Sequence, residues 1–259
     1  AAVTGLKPEQ VEVNTPFLGG GFGRRATPAA DVVTEAVHVA KAAGLPVKTV
    51  WTREDDTQGG YYRPMYLARA RIALGDDGLP TAWDHVMVNQ SIMAGTPFAA
   101  MIKDGVDNSS VEGVNNSPYI TGLADHRVDL HSPTNGVPVL WWRSVGHSHT
   151  AFAMESLIDE LAHAAGKDPL DYRRGLLAKH ARHLGVLNLA AEKAGWGTPL
   201  PEGRRRGIAV HESFGSYVAR VAEVSIQDGA VRVHKVTCAI DCGVAVNPAG
   251  VAAQMESGI

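Results

Sequence analysis

Three stretches of the chain place apolar residues three and four positions apart, the pattern of an amphipathic helix. The first covers residues 28–43 and ends before Gly44, a residue type that often follows a helix C-terminus. The second covers residues 150–165, and the third covers residues 184–194. Two more helix starts are indicated by capping residues, Asp168 before Pro169 and Asn247 before Pro248. The apolar stripe of the second helix consists of Met154, Leu157, Ile158, Leu161 and Ala165.

Other stretches alternate apolar and polar residues, as half-buried strands do. Residues 66–74 and 81–90 flank an Asp-Asp-Gly turn and predict a hairpin. Further strands are predicted over residues 208–210, 217–226 and 231–240, and shorter ones over residues 11–14, 47–51, 128–130 and 139–142. Residues 91–125 are rich in Gly, Asn, Ser and Pro, which predicts a long irregular stretch.

Strands and helices are grouped along the chain rather than alternating, which predicts an α+β fold. We expect two lobes, residues 1–140 with a glycine-rich loop and residues 141–259 with helices followed by strands. The chain starts and stops within segments that read as helices, without a capping or breaking tail. This indicates an incomplete domain, part of a longer protein.

Composition narrows the function classes. The chain has 259 residues, of which 45% are hydrophobic and 20% are charged, and its formal net charge is −3. This balance does not indicate binding to nucleic acid or to an anionic membrane surface. No stretch approaches the roughly 18 uninterrupted apolar residues of a membrane span. The sequence leaves the localisation open.

The two cysteines, Cys238 and Cys242, are predicted to be buried thiols on a core strand. Four positions along a strand separate them by about 13 Å, which is too far for a disulfide. Two thiolates are also fewer than the roughly four that usually hold an iron–sulfur cluster.

A cluster of glycines forms the first candidate site. Gly20, Gly21, Phe22 and Gly23 sit in a run that could present backbone N–H groups to an anion or an oxo ligand. The run does not match the dinucleotide-binding motif Gly-x-Gly-x-x-Gly, because Arg24 occupies the position of its last glycine. It does not match the Walker motif either, because Gly23 is followed by Arg24 and not by Lys. A nucleotide-binding domain is therefore disfavoured. A structural tight turn and a cofactor-cradling loop both stay open.

Polar residues at element ends supply further candidates. Arg143 and Gly146 stand at a predicted strand-to-helix junction, where an arginine binds a phosphate or forms an ordinary ion pair. Asp241 ends a predicted strand and Gln254 lies in the last predicted helix, which suggests a binding edge. The eleven histidines form no metal-binding motif and are expected to be structural or at the surface, with His180 and His183 on a solvent-facing side.

Taken in order, these segments resemble the molybdopterin-binding subunit of the xanthine dehydrogenase and aldehyde oxidase family. The version here is most similar to the large subunit of isoquinoline 1-oxidoreductase-type proteins, which are often described as aldehyde dehydrogenases. The matching segments, which span nearly the whole chain, are Phe-Leu-Gly-Gly-Gly-Phe-Gly-Arg-Arg at 17–25, Trp-Thr-Arg-Glu-Asp at 51–55, Arg-Ser-Val-Gly-His at 143–147 with the helix that follows, Asp-Pro-Leu-Asp-Tyr-Arg at 168–173, Asp-Cys-Gly at 241–243, Asn-Pro at 247–248 and Gln-Met-Glu at 254–256.

The resemblance implies a catalytic subunit that holds molybdenum on molybdopterin, commonly as the cytosine dinucleotide. Such enzymes hydroxylate an N-heterocycle or an aldehyde with water-derived oxygen, and a small subunit with two [2Fe–2S] clusters passes electrons to an acceptor. It also implies roles for residues. The backbone at Phe22 and Gly23 would approach the metal's oxo ligand, Arg143 would lie by the metal or pterin, and Gln254 would bind the pterin. Gly20, Gly21, Gly146 and Asp241 would complete the cofactor site.

Two departures from the family pattern change what we expect of the substrate and of catalysis. Ala26 stands where some relatives carry a substrate-binding Glu, which argues against a purine substrate. The Gly-Glu-Pro segment that carries the family's catalytic base, and its Gly-Gln-Gly cofactor loop, are absent. We therefore expect the base outside this chain and no turnover by the chain alone. The alternative is a scaffold or binding module that kept the fold without the cofactor.

Overall fold

The computed structural model describes residues 1–259 and contains six α-helices, six strands and three short 3-10 helices. The α-helices are α1 (Asp31–Ala43), α2 (Arg53–Gln58), α3 (His147–Ala164), α4 (Pro169–Leu176), α5 (Ala181–Ala194) and α6 (Pro248–Ser257). The strands are β1 (Tyr66–Leu74), β2 (Pro80–Asn89), β3 (Asp125–His131), β4 (Arg204–Ser213), β5 (Ser216–Gln227) and β6 (Ala230–Asp241). They form two three-stranded sheets, ordered β1-β2-β3 and β4-β5-β6. The predicted α+β class is confirmed.

The chain divides into two compact units, each made of three separate segments. The first consists of Ala1–Leu67, Val88–Ser110 and Leu130–Val145. The second consists of Ala68–Met87, Val111–Asp129 and Gly146–Ile259. The division into lobes over residues 1–140 and 141–259 stays a prediction.

The core of the second unit lies where α5 packs against β4, β5 and β6. One face of α5 is buried and includes His183, Val186, Leu187 and Ala190. The prediction that His180 and His183 face solvent was wrong, because His183 is buried and His180 is half-buried. The helix begins at Ala181 rather than at residue 184, so His183 falls on the same stripe as Val186 and Leu187.

The sheet β4-β5-β6 is antiparallel, and its register places Asp241, the last residue of β6, opposite the start of β5. Tyr217 pairs with Asp241, while Ala219 pairs with Ala239 in the buried middle of the sheet. Cys238 is a half-buried free thiol on β6, and Cys242, also free and half-buried, lies just beyond the strand's last residue. The prediction of two buried thiols on a core strand was therefore wrong, because both thiols are only half-buried. Cys242 also lies outside the strand.

The first unit contains fewer regular elements than the sequence predicts. Helix α1 ends as predicted, with Gly44 at φ +65° donating its N–H to the Ala40 carbonyl. No strand forms over residues 11–14 or 47–51, and residues 139–142 contribute one bridge, between Val139 and Tyr62. A strand needs a neighbouring backbone to satisfy its hydrogen bonds, and residues 11–14 and 47–51 pair with none.

None of the six α-helices combines the length and the apolar character needed to cross a lipid bilayer.

Candidate functional site

The glycine loop is an exposed turn whose backbone includes three positive φ angles. Gly20 has φ +149°, Phe22 has φ +52° and Gly23 has φ +87°. Glycine adopts such angles without a steric penalty, whereas a residue with a Cβ atom at φ near +50° is uncommon. Phe22 is therefore held in an unfavourable backbone conformation, and its side chain remains 51% exposed.

Gly23 has no space for a side chain. A Cβ atom at this position would lie 2.8 Å from the Trp141 carbonyl oxygen and 2.8 Å from the Trp142 Cα. Both neighbours are backbone atoms, which cannot rotate away as a flexible side chain could. The loop is thus packed backbone to backbone against the segment that leads into Arg143.

Arg143 contacts the loop through both its backbone and its side chain. Its N–H donates to the Phe22 carbonyl over 3.0 Å, and its guanidinium carbon lies 4.3 Å from the centroid of the Phe22 ring. Arg63 donates from Nη1 to the Arg143 carbonyl over 2.8 Å. The structure therefore brings together the loop and the arginine that the sequence analysis singled out.

The residues that follow Arg143 are strained. Ser144 has φ +67° and Val145 has φ +43°, two successive non-glycine residues in the left-handed region. Each such residue costs on the order of 1 kcal/mol or more, and strain of this kind clusters at functional sites. For the β-branched Val145 the conformation is especially uncommon.

The loop's own N–H groups are not used by the protein. From Gly19 to Gly23 no backbone N–H donates to a protein acceptor, although the carbonyls of Gly21 and Gly23 accept from Arg25 and Ala26. Successive N–H groups beside a guanidinium suit an anionic or oxo ligand. The donor set and the missing Cβ atoms of Gly20, Gly21 and Gly23 therefore fit a ligand of that kind.

Gly146 opens α3 in the second unit, and its backbone groups have protein partners. Its N–H donates to Glu112 Oε1 over 2.7 Å, and its carbonyl accepts from the N–H groups of His149 and Thr150. The Glu112 carboxylate thus lies at the start of the helix, where the helix dipole favours negative charge.

Asp241 is engaged in a two-pronged ion pair at the end of β6. Its carboxylate accepts from Nε and Nη2 of Arg182, both over 2.8 Å, and from the Gly243 N–H over 2.9 Å. The hydrogen bond from Arg182 is the main cause that lowers the pKa of Asp241 far below its usual range. The Arg182 guanidinium also lies 4.2 Å from the Tyr217 ring centroid. Asp241 is placed to hold the chain where β6 leads towards α6.

Gln254 lies on the exposed side of α6, the helix capped by Asn247, whose side chain accepts from the Gly250 N–H over 3.0 Å. Among the sequence-predicted residues, the glycine loop and Arg143 belong to the first unit, and Gly146, Asp241 and Gln254 belong to the second. Their assignment to one cofactor site stays a prediction.

A buried charge network in the second unit was not predicted from the sequence. Glu155 accepts from Tyr119 OH over 2.8 Å, from Arg173 Nε over 2.9 Å and from the Val210 N–H over 2.9 Å. Arg173 also donates to Asp159 over 2.6 Å. Burial raises the pKa of Glu155 and of Tyr119. The available signal was the position of Glu155 directly after Met154 in the apolar stripe of α3, where a charge needs a buried partner.

A second group that the sequence analysis missed consists of paired histidines. His147 Nδ1 and His211 Nε2 are 2.8 Å apart, and the His183 ring meets the Tyr217 ring edge-on at 4.7 Å between centroids. Burial lowers the pKa of His211 to about 4, and burial followed by the neighbouring His180 lowers that of His183 to about 4. The His183 and His211 imidazoles are therefore neutral near pH 7.

Comparison with known proteins identifies the family. Residues 1–176 match a family model described as molybdopterin cofactor-binding domain, and residues 153–259 match a second model with the same description. The subunit beta of isoquinoline 1-oxidoreductase from Brevundimonas diminuta is 29% identical over 269 residues, covering 100% of this chain and 33% of that protein. A membrane-bound aldehyde dehydrogenase [pyrroloquinoline-quinone] from Gluconacetobacter polyoxogenes is 31% identical over 285 residues, covering 95% of this chain and 35% of that protein.

A solved structure shares the fold. Quinoline 2-oxidoreductase from Pseudomonas putida 86 superimposes with a TM-score of 0.54 at 20% identity, over 79% of this chain and 28% of that one. The chain spans about a third of the length of the first two curated relatives. The resemblance seen in the sequence is confirmed: the chain belongs to the molybdopterin cofactor-binding domain family of the xanthine dehydrogenase type.

Proposed function

We propose that this chain supplies the glycine-loop wall of the molybdopterin site in an oxidoreductase that hydroxylates an N-heterocycle or an aldehyde with oxygen from water. The observation that carries the proposal is the contact between Phe22 and Arg143, which sets unused N–H groups and a guanidinium on one exposed surface. The names of the two curated relatives, an isoquinoline oxidoreductase and an aldehyde dehydrogenase, support the substrate classes.

The residues present fit the cofactor, since a pterin with a metal–oxo group needs hydrogen-bond donors and close backbone approach. When bound, molybdopterin with molybdenum supplies the oxygen transfer and the redox chemistry. Phe22 and Gly23 would donate backbone N–H groups to an oxygen ligand of the metal. Arg143 would place positive charge beside them, and Gln254 would hydrogen-bond the pterin. Such preorganised donors stabilise negative charge without having to reorganise during the reaction.

The remaining predicted residues would shape the site. Gly20 and Gly21 leave room for the cofactor, Gly146 fixes the start of α3, and Asp241 fixes the end of β6 through Arg182. We propose the cytosine dinucleotide form of the cofactor. We also propose a small [2Fe–2S] subunit that carries electrons to an acceptor.

We assign the general base to a residue outside positions 1–259, so that the chain by itself does not turn over. Two glutamates that are at least half-buried already accept hydrogen bonds from the protein. Both oxygens of Glu155 accept protein hydrogen bonds, and Glu112 Oε1 accepts from Gly146. Protein donors therefore occupy both oxygens of Glu155 and one oxygen of Glu112.

Replacement of Gly23 tests the proposal. The protein is produced in a host that makes molybdopterin, as wild type, G23A and the control G136A, since a Cβ atom at Gly136 in the same unit meets nothing within 4 Å. Molybdenum is measured by mass spectrometry, pterin by its fluorescence after denaturation, and the nucleotide by mass analysis of the released material.

We expect molybdenum and pterin in wild type and G136A, and loss of most of both in G23A. Wild-type protein that contains neither would contradict the proposal and favour a scaffold that kept the fold. A nucleotide other than cytosine would contradict the dinucleotide assignment alone.

A further inference from the structure

A half-open groove of about 460 Å³ lies in the first unit, immediately after the glycine loop along the chain. Its polar lining includes Arg25, Arg53 and Thr49, and its apolar lining includes Val32, Val50 and Trp51. The volume falls within the range of about 300–1,000 Å³ that is common for small-molecule sites. The roles proposed above for the glycine loop and Arg143 do not involve this groove.

The groove carries an excess of positive charge, since three arginines and one carboxylate, that of Asp56, line it. The Arg25 side chain has no hydrogen-bond or ion-pair partner in the structure, and the residue is exposed. The nearest carboxylate to Arg53 is that of Asp56, at 4.0 Å, and both side chains are well exposed. By contrast, Arg24 is engaged with Asp31 over 2.6 Å. Arg25, and to a lesser extent Arg53, are therefore available to an anion.

A second observation also indicates a polar ligand. Thr49 Oγ1 is buried and has no hydrogen-bond partner. Buried hydroxyl groups normally have a partner, and an unpaired one costs on the order of 1–3 kcal/mol. A carboxylate supplies two acceptor oxygens, one for a guanidinium fork and one for a hydroxyl.

The walls of the groove are held in place before any ligand arrives. Trp51 Nε1 donates to Glu35 on α1 over 2.9 Å. Thr52 and Asp55 cap α2 reciprocally, with the Asp55 N–H donating to Thr52 Oγ1 and the Thr52 N–H donating to Asp55. Val50, which is 73% exposed, offers apolar surface that a ligand would cover. Apolar surface beside two arginines favours a ligand that combines an apolar body with a negative charge over a bare inorganic ion.

We propose that this groove binds a carboxylate carried on an aromatic ring, with Arg25 as the principal contact and Arg53 and Thr49 as secondary ones. The binding step does not depend on molybdopterin. Its interpretation as the site that selects an aromatic carboxylate as substrate rests on the proposed function. Arg25 is two residues from Gly23, and its N–H donates to the Gly21 carbonyl over 3.2 Å, so the groove continues directly from the loop.

Direct titration of the full 259-residue chain tests the proposal. Benzoate, its neutral isostere benzamide and inorganic phosphate are titrated by calorimetry against wild type, R25Q, T49V and R232Q. Arg232 is the matched control, because it is an exposed arginine on β6 in the second unit and its replacement changes the net charge equally. Circular dichroism verifies that each variant is folded.

We expect benzoate to bind at least about tenfold more tightly than benzamide, as one hydrogen bond to a charged group implies. R25Q weakens benzoate binding about tenfold, T49V weakens it less, and R232Q leaves it unchanged. Equal binding of benzoate and benzamide would overturn the proposal, as would an unchanged affinity in R25Q. Phosphate binding without benzoate binding would also overturn it, since the groove would then hold inorganic anions only. Benzoate binding by wild-type protein that contains no molybdenum after production in a host that makes molybdopterin would contradict the proposed function and leave this inference standing.

Discussion

In the second unit the Arg173 guanidinium is fully buried and donates to Glu155 and Asp159, whereas in the first unit the Arg143 guanidinium lies over the exposed ring of Phe22. The two units also differ in whether their other polar groups have protein partners. Glu112, Glu155 and Asp241 in the second unit have protein donors, while the N–H groups of the glycine loop have no protein acceptor. In the second unit these charged groups hold the fold, whereas the N–H groups of the glycine loop in the first unit have no protein acceptor.

The largest effect is expected from breaking the buried pair of the second unit. R173L leaves the Glu155 carboxylate buried with one fewer charged donor, which destabilises a protein by about 3–5 kcal/mol. Urea unfolding followed by circular dichroism measures the free energy of unfolding. R174L is the matched control, because Arg174 lies next in sequence and pairs with the exposed Asp171. We expect the control to lose less than about 1 kcal/mol. Equal losses in both variants would remove the contrast between the units.

An intermediate effect is expected from pH. The folded-state pKa values of His183 and His211 are about 4, below the usual 6.5. The unfolded chain therefore binds more protons than the folded chain between these values, and stability falls as pH decreases from about 6.5 to about 4. The expected loss is on the order of 2 kcal/mol, allowing for the partial exposure and mutual coupling of the rings. An H183Q/H211Q double variant should flatten this slope in urea titrations at stepped pH, and an unchanged slope would contradict the assignment.

A smaller effect on stability is expected in the first unit. R143Q removes a guanidinium that lies over an exposed aromatic ring, an interaction of about 0.5–1 kcal/mol, and leaves the backbone hydrogen bond to Phe22 intact. Molybdenum content should nevertheless fall sharply, because the positive charge beside the loop is lost. Metal analysis and urea unfolding on the same preparation separate the two results. Normal molybdenum content in R143Q would remove Arg143 from the site.

The smallest effect is expected for D241N. Solvent and salt screen the exposed pair between Asp241 and Arg182, so its loss should shift the unfolding midpoint less than R143Q does. The shift should shrink further in 1 M salt. A shift larger than that of R143Q would show that the end of β6 depends on this carboxylate for its fold.

Local signals predicted the helices and hairpins of the second unit well, and long-range pairing was harder to foresee. Asp168 accepts from the N–H groups of Leu170 and Asp171, as its position before Pro169 indicates. Residues 11–14 and 47–51 have strand-like composition, yet a strand depends on a partner that no local pattern specifies. Val13 and Val50 consequently remain exposed.

The site could be predicted in part. The order of the motifs indicated the glycine loop and Arg143, and the structure places them in contact. The protein partners of Gly146 and Asp241 depend on tertiary packing, which spacing along the chain does not encode. The groove beside Arg25 was missed because it depends on which arginines lack a partner. Arg24 and Arg25 are adjacent in sequence, and Arg24 alone is paired.

The packing of Gly23 has a consequence for genetic experiments. The atoms that exclude a side chain there belong to the peptide backbone of Trp141 and Trp142, and every amino acid carries the same backbone. A second mutation that shrinks a neighbouring side chain therefore cannot restore the space. A suppressor screen that starts from a Gly23 mutant should recover revertants at codon 23 and none at codons 141 or 142.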